Sequence, residues 1–319
     1  MRFFQMILLV LFSFCACDID KIEEIDISNI KVDFLVKRFD IDYYTAINGN
    51  IYDLKSTYPY FFPQEITDSI TLSKINNKDE QELFSETQKV FKDFSTFKEQ
   101  FSNLFKHVKY YNTKFKAPTV VTMLTNIDYD SRVIYADSLL LLSLDVYLGE
   151  NHRFYNDYPK YIKNKNTKEH LIVDAANEII KRQIPKSTER SLVGKMIYEG
   201  KKMYLLDMYL PAISAKEKIG YDTDKLNWAR SNEEQIWSYF IEKKLLFSTD
   251  RNLNKRFLEI APFSKFYMEQ DNLSPGGVGI WVGWQIVASY MKHNDVSLQQ
   301  LLQINELDLF KKSKYKPRK

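Results

Sequence analysis

The sequence contains little cysteine, glycine or proline, and each shortage excludes a class of protein. Both cysteines, Cys15 and Cys17, lie near the N-terminus, and none follows them in a chain of 319 residues. This distribution excludes a disulfide framework, a thiol nucleophile and a cysteine-based zinc site in the body of the protein. With only 9 Gly and 9 Pro, the chain also lacks the composition of flexible linkers and low-complexity tracts.

The chain also lacks a large excess of charge of either sign. Its 45 Lys+Arg against 42 Asp+Glu give a formal net charge of +3. Binding of nucleic acid through its phosphates requires a basic face, so no nucleic-acid partner is expected. In contrast, 21 Tyr and 22 Phe supply far more buriable surface than a disordered chain has. The composition therefore indicates a globular protein with a substantial core.

The N-terminal segment combines one positive charge with a short apolar run. Residues 3–14 are almost uninterruptedly apolar, but a bilayer span needs about 20 such residues. Ala16 and Cys17 follow, which is the pattern of a bacterial lipoprotein. We therefore expect a signal peptide over residues 1–16 and a diacylglycerol, with palmitate, on Cys17. Each buried methylene contributes about 0.8 kcal/mol, so such an anchor is effectively permanent. The alternative is an ordinary signal peptide whose two cysteines have no role.

After Cys17 the sequence predicts an acidic tether over residues 17–29 and one domain over residues 30–310. In that domain, Val32–Phe39 nearly alternates apolar and polar residues, as a strand does, and residues 40–112 have helical periodicity. Pro118–Leu124 and Arg132–Leu144 are β-branched or apolar runs that predict a second strand and a third strand or hairpin arm.

The C-terminal half is predicted to be mostly helical, and residues 311–319 form a basic tail that we expect to be frayed. The expected helices are His170–Gln183, Glu189–Tyr209, Ser231–Lys244, Asn252–Ala261, Val278–Lys292 and Leu298–Ile304. A few strands with early helices, followed by a run of helices, predict an α+β single domain.

Metal ligands are sparse along the chain. The four histidines are His107, His152, His170 and His293, and no two stand three to five residues apart. The His-Glu-x-x-His helix of metallopeptidases is therefore absent. His170 and Asp174 are four residues apart on a predicted helix and can share a face. Two ligands are too few for a zinc site, so the sequence predicts neither a metal nor another cofactor.

The glycines have a structural interpretation. The sequence Pro275-Gly276-Gly277 predicts a turn, because the lysine that a phosphate-binding loop needs is missing. Gly279 and Gly283 are four residues apart, so a helix carrying both can approach a neighbour closely. Gly200 lies inside another predicted helix, where it costs about 1 kcal/mol relative to alanine. That cost predicts a close approach at Gly200 as well.

Two acidic residues stand out beside these elements. Glu199 precedes Gly200 and is open to three interpretations: a metal ligand, a catalytic acid or a structural hydrogen-bond acceptor. Asp145 follows the apolar run Leu139–Leu142 and is either a site residue or part of an ordinary turn. Sequence alone does not choose between these interpretations.

Several segments together resemble one family. They are Val32–Asp40, Leu139–Gly149, Met196–Pro211, Gly279–Val287 with its Trp-Val-Gly-Trp-Gln, and Asn294–Leu302. In this order they resemble the gliding motility lipoprotein GldB family of the Bacteroidetes. The resemblance implies a lipid-anchored envelope protein that works with other gliding motility proteins and is linked to type IX secretion. No catalytic activity is attached to the family that the resemblance carries over. We expect the outer membrane as the location, with the periplasmic face favoured over the cell surface.

A remoter likeness is to zincin-like metallopeptidases. In those enzymes a His-Glu-x-x-His helix precedes a Glu-Gly helix that completes the zinc site. Here the corresponding helix, Leu171–Ile179, lacks both histidines, and only Glu199 matches a ligand position. We therefore expect a zincin-like fold that serves as a scaffold, with a degenerate cleft formed by Glu199, Asp174, His170 and Asp145.

Two other functions remain as alternatives. One is a zinc-independent or degenerate zincin-like hydrolase acting on peptide or cell-wall material. The other is a lipoprotein that binds sugars or peptides in a groove formed by tryptophans, namely Trp228, Trp237, Trp281 and Trp284.

Overall fold

The computed structural model describes residues 25–46 and 50–319 of the chain. The predicted signal peptide, Cys17 and most of the acidic tether lie outside these residues. Within them the architecture is α+β, as predicted: a small mixed sheet is surrounded by helices, and one contiguous apolar core extends from the sheet into the helical C-terminal half.

The sheet has four strands among the described residues. They are β1 Val36–Lys37, β2 Thr119–Met123, β3 Val133–Ala136 and β4 Leu139–Ser143. Their order across the sheet is β1-β2-β4-β3, with β1 and β4 parallel to β2 and β3 antiparallel to β4. The strand predicted over Val32–Phe39 is thus much shorter in the structure, because helix begins at Phe39.

Both faces of the sheet are covered, which explains its nearly continuous apolar sequence. Because successive side chains point to opposite faces, Val120 and Leu140 lie in the main core, while Val121 joins a second cluster. That second cluster contains Leu54 and Tyr58 and is closed by helices that precede β2. The early helices therefore cover one face of the sheet, and the main core covers the other.

Fifteen α-helices occur in the described part of the chain. They are α1 Phe39–Tyr44, α2 Ile51–Thr57, α3 Asp68–Ile75, α4 Lys78–Phe91, α5 Ser95–Tyr111, α6 Lys160–Lys163, α7 Leu171–Gln183, α8 Leu192–Tyr209, α9 Ala215–Ile219, α10 Thr223–Ser231, α11 Glu233–Glu242, α12 Asn252–Phe257, α13 Val278–His293, α14 Leu298–Gln303 and α15 Glu306–Lys312. Polar caps define several starts: the Ser191 hydroxyl accepts from the Gly194 N–H, and Ser297 and Gln300 form a capping box.

Helices α8 and α13 pack along each other through glycine. A Cβ on Gly200 would overlap the carbonyl group of Gly283, and a Cβ on Gly283 would overlap the carbonyl oxygen of Met196. The two backbones therefore touch, as the glycine positions predicted. Trp281 and Trp284 are buried on α13 in an edge-to-face pair with centroids 5.6 Å apart.

The predicted turn before α13 is also confirmed. Gly277 caps this helix with φ of +67°, in the left-handed region that glycine adopts at little cost. Gly276 has no room for a side chain, because a Cβ there would overlap the Ala261 carbonyl oxygen.

One predicted element is divided in the structure. Residues 132–144 form the hairpin β3–β4, because Asp137 reverses the chain with φ of +49°, a conformation that aspartate tolerates. The helix predicted over Ser231–Lys244 corresponds to α11, which begins after Asn232 and ends two residues early.

The C-terminal residues are packed rather than frayed. The ring of Tyr315 meets the ring of Trp237 edge-on, with centroids 5.1 Å apart. Its hydroxyl donates to Glu233 Oε1 at 2.8 Å, and the Arg318 backbone N–H donates to the same oxygen at 3.4 Å. Basic composition predicted a loose end here, but the apolar ring of Tyr315 fixes it to α11.

Candidate functional site

The site is built around the first turn of α7. His170 immediately precedes this helix and Asp174 lies one turn later, so both side chains share a face. The distance from His170 Nε2 to Asp174 Oδ1 is 3.4 Å. On its other side, His170 Nδ1 lies 2.9 Å from Oε1 of Glu217, which belongs to α9. The imidazole therefore lies between two carboxylates.

Asp174 is also bound by residues from the β3–β4 region. Arg132 Nε donates to Asp174 Oδ2 at 2.7 Å, and the Tyr147 hydroxyl donates to the same oxygen at 2.8 Å. The guanidinium lies over the Tyr147 ring, 4.5 Å from its centroid. The carboxylate thus links α7 to the segments on both sides of the hairpin.

The remaining donors of Arg132 bind the loop after α6. Its Nη1 donates to Asn166 Oδ1 at 2.8 Å, and its Nη2 donates to the Lys165 carbonyl oxygen at 2.5 Å. Arg132 is buried, and each of its three side-chain nitrogens has a hydrogen-bond partner. The five residues Arg132, Tyr147, His170, Asp174 and Glu217 are called the charge cluster below.

Within the charge cluster, the surroundings favour the ionised forms of Arg132, His170 and Asp174. Burial alone would raise the pKa of Asp174, but His170 and Arg132 outweigh it and hold the pKa well below its usual range. Burial would lower the pKa of His170, but Asp174 and Glu217 outweigh it and raise the pKa. Asp174 is therefore a carboxylate whose Oδ2 is occupied by two internal donors and whose low pKa makes it poorly suited to act as a base.

Asp145, a second predicted site residue, lies in different surroundings. Its carboxylate accepts from the backbone N–H groups of Thr125, at 3.0 Å, and Ile127, at 2.6 Å, and from the Thr125 hydroxyl at 3.4 Å. These bonds hold the turn in which Asn126 and Ile127 have φ of +59° and +61°. Burial raises the pKa of Asp145, against the hydrogen bonds from Ile127 and Thr125, which lower it.

Glu199, a third predicted site residue, pairs within its own helix. Its Oε1 lies 2.7 Å from Nζ of Lys202, and about a third of its side chain is exposed. Among the described residues, neither Glu199 nor Asp145 makes an ion pair or hydrogen bond with His170 or Asp174. The structure thus brings together two of the four residues that were predicted to form a cleft.

Arg132, Tyr147 and Glu217 were not predicted from the sequence as site residues. Arg132 and Glu217 are 42 and 43 residues from Asp174 in opposite directions along the chain. No local spacing signals such a contact. The only hint was a polar residue, Asp145, after the apolar run of β4. Asp145 was predicted as a site residue, but Tyr147, two residues later, was not.

The tryptophans do not form an open groove. Trp281 and Trp284 are 2% and 5% exposed, and Trp284 Nε1 donates to Asp207 Oδ2 at 2.6 Å. Trp228 and Trp237 are partly buried against the core. The four rings therefore contribute mainly to packing.

Two further properties concern metals and membranes. In residues 25–46 and 50–319, no group of three or more His, Cys, Asp or Glu side chains is arranged to hold a metal ion. Over the same residues, every helix is too short or too polar to cross a bilayer.

Comparison with protein families gives one match. The family model described as gliding motility protein GldB matches residues 20–317, which is almost the whole chain. No curated protein and no solved structure matches the sequence significantly.

Proposed function

Because the chain belongs to the GldB family of gliding motility lipoproteins, we propose that it is a lipid-anchored, non-catalytic part of the gliding machinery. In this proposal it binds other envelope proteins and is linked to type IX secretion. Its lipid is carried by Cys17, and its place is the outer membrane, on the periplasmic face. The domain is a zincin-like scaffold in which the metal chemistry has been lost.

One observation carries the non-catalytic part of this proposal. Asp174 on α7 accepts from Arg132 and Tyr147 and pairs with His170. In the zincin-like proposal, α7 takes the place of the zinc-binding helix of metallopeptidases. A catalytic carboxylate needs a lone pair directed at water or substrate. Here those positions are used to join α7 to the hairpin region, which is what a rigid binding scaffold requires.

The anchor is tested by replacing Cys17 with serine. We expect Cys17→Ser to leave the membrane fraction and to abolish gliding, because the serine hydroxyl does not accept the lipid. Cys15→Ser is the matched control and should behave as the wild type. Cells that glide normally while the Cys17→Ser protein is free of membranes would contradict the proposal.

The non-catalytic role is tested at Glu199. Glu199→Gln keeps the shape of the side chain and removes its charge, and it breaks only a partly exposed pair with Lys202. We expect normal protein level and normal gliding. A loss of gliding at normal protein level would favour the alternative, a hydrolase acting on peptide or cell-wall material.

A further inference from the structure

A cavity of about 470 Å³ lies beside the charge cluster. It is formed by α6 and the residues on either side of it, by the junction of α9 with α10, and by the loop between α12 and α13 with the start of α13. Its walls are largely apolar, with Ile219, Leu258, Ile260, Ala261 and Ile280 among them. This size and this character are typical of sites for small organic ligands, which range from about 300 to 1,000 Å³.

Several polar side chains on the cavity wall, including two of its three lysines, already have partners. Lys160 Nζ lies 3.3 Å from Asp222 Oδ2. Lys225 Nζ donates to the carbonyl oxygens of Asn272, at 2.6 Å, and Ser274, at 2.7 Å. The Tyr221 hydroxyl donates to the Gly276 carbonyl oxygen at 3.0 Å. These groups shape the cavity and hold its walls together.

Of the three lysines on this wall, Lys165 differs from Lys160 and Lys225 in having no polar partner for its ammonium among the described residues. Its ammonium makes no hydrogen bond or ion pair with any residue in the described ranges, although its own carbonyl oxygen binds Arg132. The methylene chain crosses Gly220, where a Cβ would overlap it. Gly220 has φ of +73°, so its conformation and its missing side chain both suit this position.

Lys165 also connects the cavity to the charge cluster. Burial lowers the pKa of its ammonium, with Asp174 and Glu217 opposing and Arg132 adding to this effect. The charges of Arg132 and Lys165 are matched by those of Asp174 and Glu217. Protonation of His170, which lies between those two carboxylates, adds one positive charge to the set. With His170 protonated, these three basic and two acidic side chains together carry one unmatched positive charge.

We propose that this cavity binds a monocarboxylate with an apolar body, whose carboxylate pairs with the ammonium of Lys165. The apolar walls would contact the body of the ligand. Asp222 and Glu259 also line the cavity and would disfavour a ligand of higher negative charge. The proposal goes beyond the gliding role and does not depend on it, because binding is measured on the purified chain.

Two sources can present this chemistry: a free small acid, or the C-terminal carboxylate of a peptide. The probes are 3-phenylpropionate and acetyl-trileucine with a free carboxylate, each compared with its neutral amide. Calorimetric titration of the full chain in non-ionic detergent should give saturable binding of at least one acid. We expect its amide to bind at least about tenfold more weakly, because a charge-assisted contact is lost. Preference for phenylpropionate indicates a free acid, and preference for the peptide indicates a chain terminus.

The decisive variant is Lys165→Met, which keeps the methylene chain over Gly220 and removes the charge. It should weaken binding of the acid at least about tenfold and leave binding of the amide unchanged. Lys168→Met, at an exposed lysine three residues away, is the matched control and should bind as the wild type does. Equal binding of the acid by Lys165→Met and wild type would overturn the proposal, as would failure of both acids to bind.

A second pair of variants covers the case in which Lys165→Met does not fold. Ile260 lines the cavity and is 56% exposed, and Ile241 on α11 is 52% exposed at another place. Ile260→Glu should weaken binding of the acid by like-charge repulsion, whereas Ile241→Glu should not. Equal affinities for these two variants would overturn the proposal independently. The result for gliding of Cys17→Ser has no bearing on either measurement.

Discussion

Asp174 and Asp145 are both acidic residues in the interior, but their surroundings differ in kind. Asp174 faces a guanidinium and an imidazole, and its pKa is held well below the usual range. Asp145 faces backbone N–H groups and a hydroxyl, and burial raises its pKa. Neutral donors satisfy the oxygens of a buried carboxylate, but they do not replace the solvation of its charge as a cation does.

The two residues also have different structural roles. Asp145, just after β4, shapes one tight turn, Thr125–Ile127, just after the neighbouring strand β2. Asp174 joins α7 to Arg132 and Tyr147 and, through His170, to Glu217 of α9. A change at Asp145 should therefore have a local effect, whereas a change in the charge cluster should affect several elements.

The largest effect is expected for Arg132→Met. This change leaves the Asp174 carboxylate buried without its closest cation and frees two acceptors in the loop after α6. Removal of one partner from a buried pair typically costs about 3–5 kcal/mol, which denaturant unfolding can measure. Arg153→Met breaks surface pairs with Glu82 and Glu86 and should change stability little. Equal stability of the two variants would show that Asp174 does not need its cation.

An intermediate effect is expected for His170→Gln, which keeps a polar side chain and removes the cation between two carboxylates. Loss of charge-assisted contacts costs about 1.5–3 kcal/mol. Because the folded-state pKa of His170 is raised, its contribution is complete below the unfolded pKa of about 6.5 and is lost as pH rises through the folded pKa. The stability difference from wild type should therefore shrink towards alkaline pH, unlike that of the exposed control His293→Gln.

The smallest effect is expected for Asp145→Asn. The amide oxygen can accept from Thr125 and Ile127, and the amide nitrogen can donate to the Thr125 hydroxyl, so stability should stay within about 1 kcal/mol of wild type. Because the folded-state pKa of Asp145 is raised, wild type should lose stability relative to this variant as pH rises above about 4.

Asp174→Asn should show the opposite pH dependence. The folded-state pKa of Asp174 is lowered, so its contribution is present above the unfolded pKa of about 3.9 and is lost as pH falls through the folded pKa. The advantage of wild type over Asp174→Asn should therefore diminish in acid. Thermal unfolding of wild type and both variants from pH 3 to 8 measures the two stability differences. If both differences changed with pH in the same direction, the contrast between Asp174 and Asp145 would be refuted.

The sequence predicted those features that depend on residues close together in the chain. The spacing of Gly279 and Gly283 and the costly Gly200 predicted a close helix contact, and α8 and α13 make it. The helical periodicity likewise located α7, α8 and α13 to within a few residues. The His170–Asp174 pair followed from one helical turn.

Features that depend on distant residues were not predictable in the same way. Arg132 and Glu217 approach Asp174 only because the hairpin and α9 pack against α7. The extended pattern of Val32–Phe39 was visible, but only Val36–Lys37 pairs with β2, and strand pairing is a tertiary property. The same holds for Lys165, whose place in the cavity wall depends on the packing of its methylene chain against Gly220, a distant residue in the sequence.

The glycine contact between α8 and α13 has a mechanical consequence. Where Gly200 meets Gly283, backbone lies on backbone and no rotatable side chain separates the two helices. A force along one helix therefore passes to the other without first rearranging rotamers. This contact would transmit load between the two helices rather than absorb it.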